Sequence, residues 1–326
     1  MSAHSVALST GESFLVADGE RILAAGRRAG VWLPFECGWG SCGTCKATLI
    51  DGEVETLFPG APAIKPRDAR RRRILVCQTT PRSDLVLDPG SVAEAAPEGL
   101  AVEDRVGTVV ANDDLGPDVR RLEIELDRAV PYRAGQYAIV ELGPRLRRCY
   151  SMASPFREGR RRIVFIYKRY GTRPGSTAMW RLAEGDSVRV EMPYGGMWVR
   201  DGRDAIVMVA GGTGIAPMLA MVAELAGRQD ERAVEVIYGA GSADELVAAN
   251  ELKAAIESLR EGRVRLVVES PDRGFADETG TVVDVLAPLA SARYYVAGPP
   301  RMVEAVLGRL RDGGVGIDRI AFDSFG

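Results

Sequence analysis

The nine residues Cys37-Gly-Trp-Gly-Ser-Cys42-Gly-Thr-Cys45 are followed 32 positions later by a fourth cysteine, Cys77. Cys-x4-Cys-x2-Cys with a distant fourth Cys is the plant-type ligand spacing for a 2Fe-2S cluster. Four thiolates must converge on two irons, and three of them come from one tight loop. Gly38, Gly40 and Gly43 supply backbone angles that a Cβ resists. They also let amide N–H groups approach the sulfurs, where hydrogen bonds tune the reduction potential. The metal ligands are therefore Cys37, Cys42, Cys45 and Cys77. A structural zinc site pairs its ligands as two CxxC knuckles, whereas this chain has one CxxC and an x4 gap. A thioredoxin-like reading of Cys42-x2-Cys45 leaves Cys37 and Cys77 unexplained. Cys149 is left over and reads as a small apolar residue.

Two further motifs concern nucleotides. Ala210-Gly-Gly-Thr-Gly-Ile-Ala-Pro217 lies between an apolar strand and a helix. Glycines there let backbone amides reach a pyrophosphate at the helix N-terminus. Such turns also occur for packing reasons. The spacing is not GxGxxG and no acidic residue ends the next strand, so this is not the usual Rossmann fingerprint. Arg148-Cys-Tyr150-Ser151 closes the third of a series of short strands. The single histidine, His4, excludes a Rieske cluster, a facial-triad iron and a di-iron carboxylate bundle, each of which needs more. The chain thus lacks the usual sites for activating oxygen itself. His4 reads as a frayed terminal residue.

Those motifs need elements to hold them. At 326 residues, with 46 % hydrophobic and 27 % charged content, the chain is an ordinary globular protein of two or three domains. A net charge of −3 gives no case for nucleic acid. The N-terminus has no basic segment or apolar core, so it is no secretory signal, and unpaired cysteines beside a metal pattern fit a reducing cytoplasm. Ala205 to Gly227 is long and apolar enough to suggest a membrane span. Its glycines, Pro217 and Glu224 favour a buried strand, a tight turn and a helix instead. Residues 1–92 form the cluster-bearing domain, with strands at Ser13–Ala17 and Ala47–Ile50, a helix over Arg21–Ala29 and a short strand Ile74–Val76 before Cys77. Residues 93–102 read as a linker. Residues 103–202 carry short strands at the spacing of a small antiparallel barrel. Residues 203–326 alternate strands and helices, as a parallel α/β domain does. Arg70 to Arg73 read as a solvated helix face, with docking of a partner as the alternative.

Barrel, RxYS and GGTGIAP together resemble the ferredoxin–NADP reductase superfamily. With the N-terminal ferredoxin pattern, nearly all of the chain resembles the reductase component of bacterial multicomponent oxygenases. It is similar above all to toluene monooxygenase reductases, through Leu57-Phe-Pro-Gly-Ala-Pro, Pro193-Tyr-Gly and the ending Phe322-Asp-Ser-Phe325-Gly. Naphthalene dioxygenase reductases share the layout.

The resemblance implies three folded parts: an α+β β-grasp ferredoxin domain, an antiparallel β-barrel flavin domain and an α/β parallel-sheet nucleotide domain. It implies one 2Fe-2S cluster, one FAD and NADH as donor. Arg148 would hold the FAD pyrophosphate, Tyr150 would stack on the isoalloxazine and Ser151 would hydrogen-bond near its reactive nitrogen. Tyr167 joins the same set. The family has Gly-x-x-Ser where this chain opens a helix with Gly175-Ser-Thr177, so Gly171, Gly175, Ser176 and Thr177 are all candidates. Gly211, Gly212, Thr213, Gly214 and Pro217 would cradle the dinucleotide. Ala297, Gly298 and Pro299 match a Cys-Gly-Pro-Pro turn beside the nicotinamide, with Ala297 in place of the Cys. Phe325 matches a C-terminal aromatic near the flavin and, with Tyr150 and Ser151, forms the catalytic set. No arginine stands near Gly241 to pair a 2′-phosphate, and Asp244 would repel one, which favours NADH.

The implied function is electron transfer from NADH through FAD and the cluster to the terminal component of an aromatic or hydrocarbon oxygenase, a di-iron monooxygenase first. The alternatives are the reductase of a Rieske dioxygenase and a freestanding ferredoxin-fused flavin or quinone reductase. The partner would be the oxygenase or its ferredoxin, and the chain itself a monomer.

Overall fold

The computed structural model describes residues 3–93, 102–143, 146–271, 275 and 277–325. All but the ends of the linker expected over 93–102 lies outside them. The chain divides into two compact units. The first is Met1–Asp104 with Ile139–Cys149 and Glu191–Tyr194, and the second is everything else.

In the first unit, β1 (Ala3–Leu8), β2 (Ser13–Ala17), β3 (Lys46–Asp51), β5 (Arg73–Leu75) and β7 (Leu85–Asp88) form one sheet in the order β2-β1-β7-β3-β5. β4 (Val54–Thr56) pairs separately with β6 (Thr79–Pro81). Alternation in β1 buries Val6 and Leu8 on one face. His4 pairs in register with Val16 of β2, so it is a strand residue and not a frayed one. α1 (Ile22–Arg28) turns Ile22, Leu23, Ala25 and Gly26 onto that core, and Arg27 and Arg28 suit its C-terminal dipole. This is the grasp of a sheet around one helix.

The arginine run does not form a helix face. α2 (Pro66–Arg70) ends at Arg70 and Arg71 caps it. Arg72 takes a left-handed φ of 52° and donates to the carbonyls of Ile50 and Gly52. Arg73 opens β5. The left-handed turn at Arg72 stops the helix, and the sheet recruits Arg73.

The next strands are β8 (Glu103–Gly116), β9 (Val119–Leu126), β10 (Tyr137–Gly143), β11 (Leu146–Ser151), β12 (Arg162–Lys168) and β13 (Ser187–Tyr194), with α3 (Pro174–Trp180) between the last two. The sheet order is β11-β10-β13-β8-β9-β12. β9 runs antiparallel to both β8 and β12. Arg148 to Ser151 lie on a strand of their own, β11, and do not close β10.

The remaining elements of the second unit are β14 (Ile206–Gly211), α4 (Ile215–Gly227), β15 (Val234–Ala240), α5 (Ala249–Glu257), β16 (Gly262–Val268), β17 (Glu278–Thr279), α6 (Val282–Val285), β18 (Arg293–Gly298), α7 (Pro300–Asp312) and β19 (Ile320–Ser324). The sheet is parallel throughout, in the order β17-β16-β15-β14-β18-β19. β14 is buried along its whole length, as a parallel strand covered on both faces must be. Met208 and Ala210 face the layer of α4 and α5, while Val207 and Val209 face that of α6 and α7. The apolar stretch from Ala205 is thus this strand and α4. Among the described residues no helix is long and apolar enough to cross a membrane.

Candidate functional site

The cysteine loop folds as two sulfur pairs. Cys45 Sγ and Cys77 Sγ are 3.2 Å apart and buried. Cys42 donates its backbone N–H to Cys37 Sγ at 3.5 Å, and Cys42 is the exposed member of the four. Cys77 sits in a 3-10 turn, Val76–Gln78, rather than at a strand end. The Val76 N–H donates to the Cys45 carbonyl and holds the turn against the loop. A hydrogen bond from Cys42 brings the Cys37 thiol down to about 4 and pushes the Cys42 thiol up. Cys45 and Cys77 repeat the pattern, Cys45 down and Cys77 up. Two sulfur pairs would suit a cluster of two irons, with all four thiols giving up their protons on binding. The donor set therefore fits the cluster.

The loop is held from both sides. Gly38 has φ +66°, and a Cβ there would lie 2.8 Å from Ile139 and 2.9 Å from the Tyr194 ring. Gln78, next to Cys77, donates to the Gly38 carbonyl at 3.4 Å. Trp39 stacks on Phe58 with centroids 6.3 Å apart, and the Ala63 N–H donates to the Gly40 carbonyl. Leu57-Phe-Pro-Gly-Ala-Pro is thus packing for the cluster loop.

On β11, strand alternation puts Arg148 and Tyr150 on one side and Cys149 and Ser151 on the other. Arg148 donates to the carbonyl of Arg147. Tyr150 is half-buried, its ring edge-on to Tyr167 at 5.9 Å and tilted against Phe165 at 6.1 Å. Tyr167 is 2 % exposed, and its hydroxyl already donates to Asn112 Oδ1 and to the Met179 carbonyl. Its ring backs Tyr150. In α3, the Thr177 N–H is committed to the Arg173 carbonyl. Its Oγ1 is buried with no hydrogen-bond partner, so the hydroxyl and not the amide is the group a cofactor would satisfy. Ser176 Oγ accepts from the Tyr170 N–H and donates to the Arg173 carbonyl. Gly171 is exposed at φ +53°. An aromatic face, buried Ser151 and an unsatisfied hydroxyl fit a flavin.

The dinucleotide cradle lies at the carboxyl ends of β14 and β18, which pair Ala210 with Ala297. Ligands bind open parallel sheets at such ends. Gly214 lies so close to the Ala297 carbonyl that no Cβ fits, and Gly211 presses on Met302 in the same way. Gly212 has φ +54° with open space where a Cβ would point. Gly212 and Thr213 are half-buried, while Gly211, Gly214 and Pro217 are buried. The first two are open to the surface, Gly211 and Gly214 build the turn, and Pro217 sits in the first turn of α4. Ala297 is fully buried in the core, so its side chain backs the cradle and does not line it. Pro299 is exposed beside Gly298. The Phe325 N–H donates to the Gly298 carbonyl at 2.9 Å. Phe325 and Ala153, just past Ser151, pack on the same core around Ile215 and Ala297.

Two residues escaped the sequence reading. Met302 wedges under Gly211 and Gly298, and nothing in the chain's pattern marks it. Glu245 was legible only as one acid of a loop. A 3-10 turn, Ala243–Glu245, returns its carboxylate over Gly241, where a Cβ would lie 2.8 Å from Oε2, and Lys168 Nζ holds it at 2.5 Å. An acid therefore stands at the end of β15 after all.

These parts define an iron–sulfur flavoprotein oxidoreductase that uses a nicotinamide nucleotide. Two family descriptions match: "2Fe-2S iron-sulfur cluster binding domain" over residues 7–82 and "Oxidoreductase NAD-binding domain" over residues 208–307. The phenol 2-monooxygenase reductase component of Pseudomonas sp. is 33 % identical over 323 residues, covering 93 % of this chain and 89 % of that one. The ferredoxin–NAD(+) reductase component of the alkene monooxygenase system of Xanthobacter autotrophicus is 32 % identical, covering 98 % and 99 %. The ferredoxin reductase in carbazole 1,9a-dioxygenase superposes with a TM-score of 0.89 at 25 % identity, covering 100 % of this chain and 99 % of that one. The chain belongs to the family of electron-transfer reductase components of multicomponent oxygenases, with NAD, FAD and 2Fe-2S domains.

Proposed function

We propose that this chain takes electrons from NADH and delivers them, through FAD and the cluster, to a di-iron monooxygenase acting on an aromatic or hydrocarbon substrate, or to the ferredoxin of that system. When bound, a flavin accepts a hydride pair and the cluster passes electrons singly, which is the adapter a two-electron donor requires. The chain's residues supply position. Gly212 and Thr213 present backbone to the dinucleotide, Tyr150 offers its ring to the flavin, Ser151 and Thr177 offer hydroxyls, Arg148 offers a guanidinium for phosphate, and Phe325 covers the hydride-transfer face. Asp244 and Glu245 at the end of β15 disfavour a 2′-phosphate, so NADH is the donor.

The observation that supports the monooxygenase reading is identity over the full length. The phenol and alkene monooxygenase reductases are 33 % and 32 % identical across nearly the whole chain, whereas the naphthalene 1,2-dioxygenase reductase of Pseudomonas putida, which matches as far, is 27 % identical. The test is reconstitution of the purified protein with a di-iron hydroxylase and, separately, with a Rieske oxygenase. Product formed per NADH should be high with the first and low with the second, and the reverse result would overturn the assignment. Size-exclusion chromatography with light scattering should give the mass of one chain.

A further inference from the structure

Beneath the cysteine loop lies a group of charges that the proposed electron path does not use. Glu191 bonds Arg27 Nη2 at 2.5 Å through one oxygen and Arg147 through the other. The three side chains are 10, 5 and 7 % exposed. The Tyr194 hydroxyl donates to Glu191 and accepts from Arg27. Half-buried Arg21 stands nearby, its Nε shielded and without a hydrogen-bond partner, with only the exposed carboxylates Glu141 and Asp104 acting on it among the described residues. Among the described residues of this unit the other buried carboxylate, Asp68, is taken by Lys46 at 3.0 Å. One buried carboxylate thus serves two buried guanidinium groups, with a third cation beside them.

Burying excess positive charge is costly unless a negative charge answers it. The excess is felt within the group: burial, and then repulsion from Arg21, bring Arg147 down to about 10. The place of the group says what answers it. Gly38 rests on the Tyr194 ring, and Phe35, two residues before Cys37, meets that ring edge-on at 5.5 Å. Arg21, Arg147 and Arg148 line one cleft of about 140 Å³ with Trp39, which lies between Cys37 and Cys42, and with Gln78, the neighbour of Cys77.

We propose that Arg27 and Arg147, held by Glu191, and half-buried Arg21 beside them are the counter-charge of the iron–sulfur centre and set how readily that centre accepts its electron. The inference rests on the cluster assignment above. Four thiolates make the centre negative, and one-electron reduction, with NADH as the source, adds one more negative charge. Fixed cations in a low-dielectric surround favour that added charge more than water would, which raises the potential. Tyr194 links the cysteine loop to the group without adding charge, because burial pushes its phenol up to about 12.

The test is an EPR-monitored redox titration of the cluster in the full-length, cofactor-loaded protein, with iron content and Tm measured first. Arg21→Gln removes a cation whose Nε bonds nothing and should lower the midpoint potential. Arg21→Lys should restore it. Glu191→Gln should raise it. Each shift should correspond to about a tenfold change in the equilibrium for electron uptake, about 59 mV for a one-electron couple. Ferricyanide reduction by NADH should not change. Parent potentials in both Arg21→Gln and Glu191→Gln, with iron retained, would overturn the proposal, as would shifts of one sign in both. If Glu191→Gln does not fold, the Arg21 pair decides alone. Absence of iron in the parent would instead remove the cluster assignment.

Discussion

Cys42 is the one cluster ligand exposed to solvent, so its replacement disturbs the fold least. Cys42→Ser should abolish the red-brown 2Fe-2S spectrum and lower iron from about two per chain, while FAD stays bound at one per chain. Iron and flavin analysis of the purified variant checks this, and retained cluster absorbance would refute it. Tyr194 gives a second prediction at the same scale. Its phenol pKa is raised by burial from about 10 to about 12. A raised pKa contributes stability that is complete below pH 10 and lost as pH climbs toward 12. Alkaline unfolding of the parent should therefore steepen between those values. Tyr194→Phe should flatten that dependence, at a cost near neutrality of about 1.5–3 kcal/mol for bonds to charged groups.

At the scale of elements, the cradle depends on two strand ends meeting. A Cβ at Gly214 collides with the Ala297 carbonyl, which is backbone and cannot swing aside. Gly214→Ala should raise KM for NADH at least tenfold and cost about 1–3 kcal/mol by overpacking, with the cluster spectrum unchanged. Steady-state kinetics and thermal melts test it, and parent KM would exclude the cradle. The turn after β15 sets donor choice. Asp244→Asn with Glu245→Gln removes two acids and frees Lys168. The preference for NADH over NADPH should narrow about tenfold, or 1.4 kcal/mol, read as the ratio of kcat/KM values. The arginine run also belongs here. Arg72 is occupied with the carbonyls of Ile50 and Gly52, so Arg70, Arg71 and Arg73 are left to steer a partner. The triple Gln variant should lower oxygenase-coupled turnover and its salt dependence while sparing ferricyanide reduction. Equal coupling across salt concentrations would reduce the run to solvated surface.

For the whole molecule, cutting the chain within the 93–102 linker has a consequence that the linear order does not suggest. A fragment from Val102 onward should still reduce ferricyanide with NADH and fail to reduce cytochrome c. However, Ile139–Cys149 and Glu191–Tyr194 belong to the first compact unit. Removing residues 1–101 uncovers Arg147, Glu191 and Tyr194, so the fragment should melt well below the full chain. An unchanged Tm would show that those segments do not depend on the first unit.

The sequence by itself determined the parts of this protein whose chemistry is local. Cys-x4-Cys-x2-Cys is a loop motif, Gly-Gly-Thr-Gly marks a strand-to-helix turn, and alternating or continuous apolar runs mark strands such as β9 and β14, because period and spacing are properties of neighbours. Only the tertiary structure decided what depends on distant partners. It sorted the four cysteines into two pairs by bringing a 3-10 turn to Cys45. It used Tyr167 as a wall behind Tyr150, turned Ala297 into the core and placed Glu245 over Gly241. It also grouped Arg27 of α1 with Arg147 of β11 and Glu191 of β13, more than a hundred residues away along the chain. A buried charge is tolerated only beside its partner, and no periodicity along a chain records which residues folding will make neighbours.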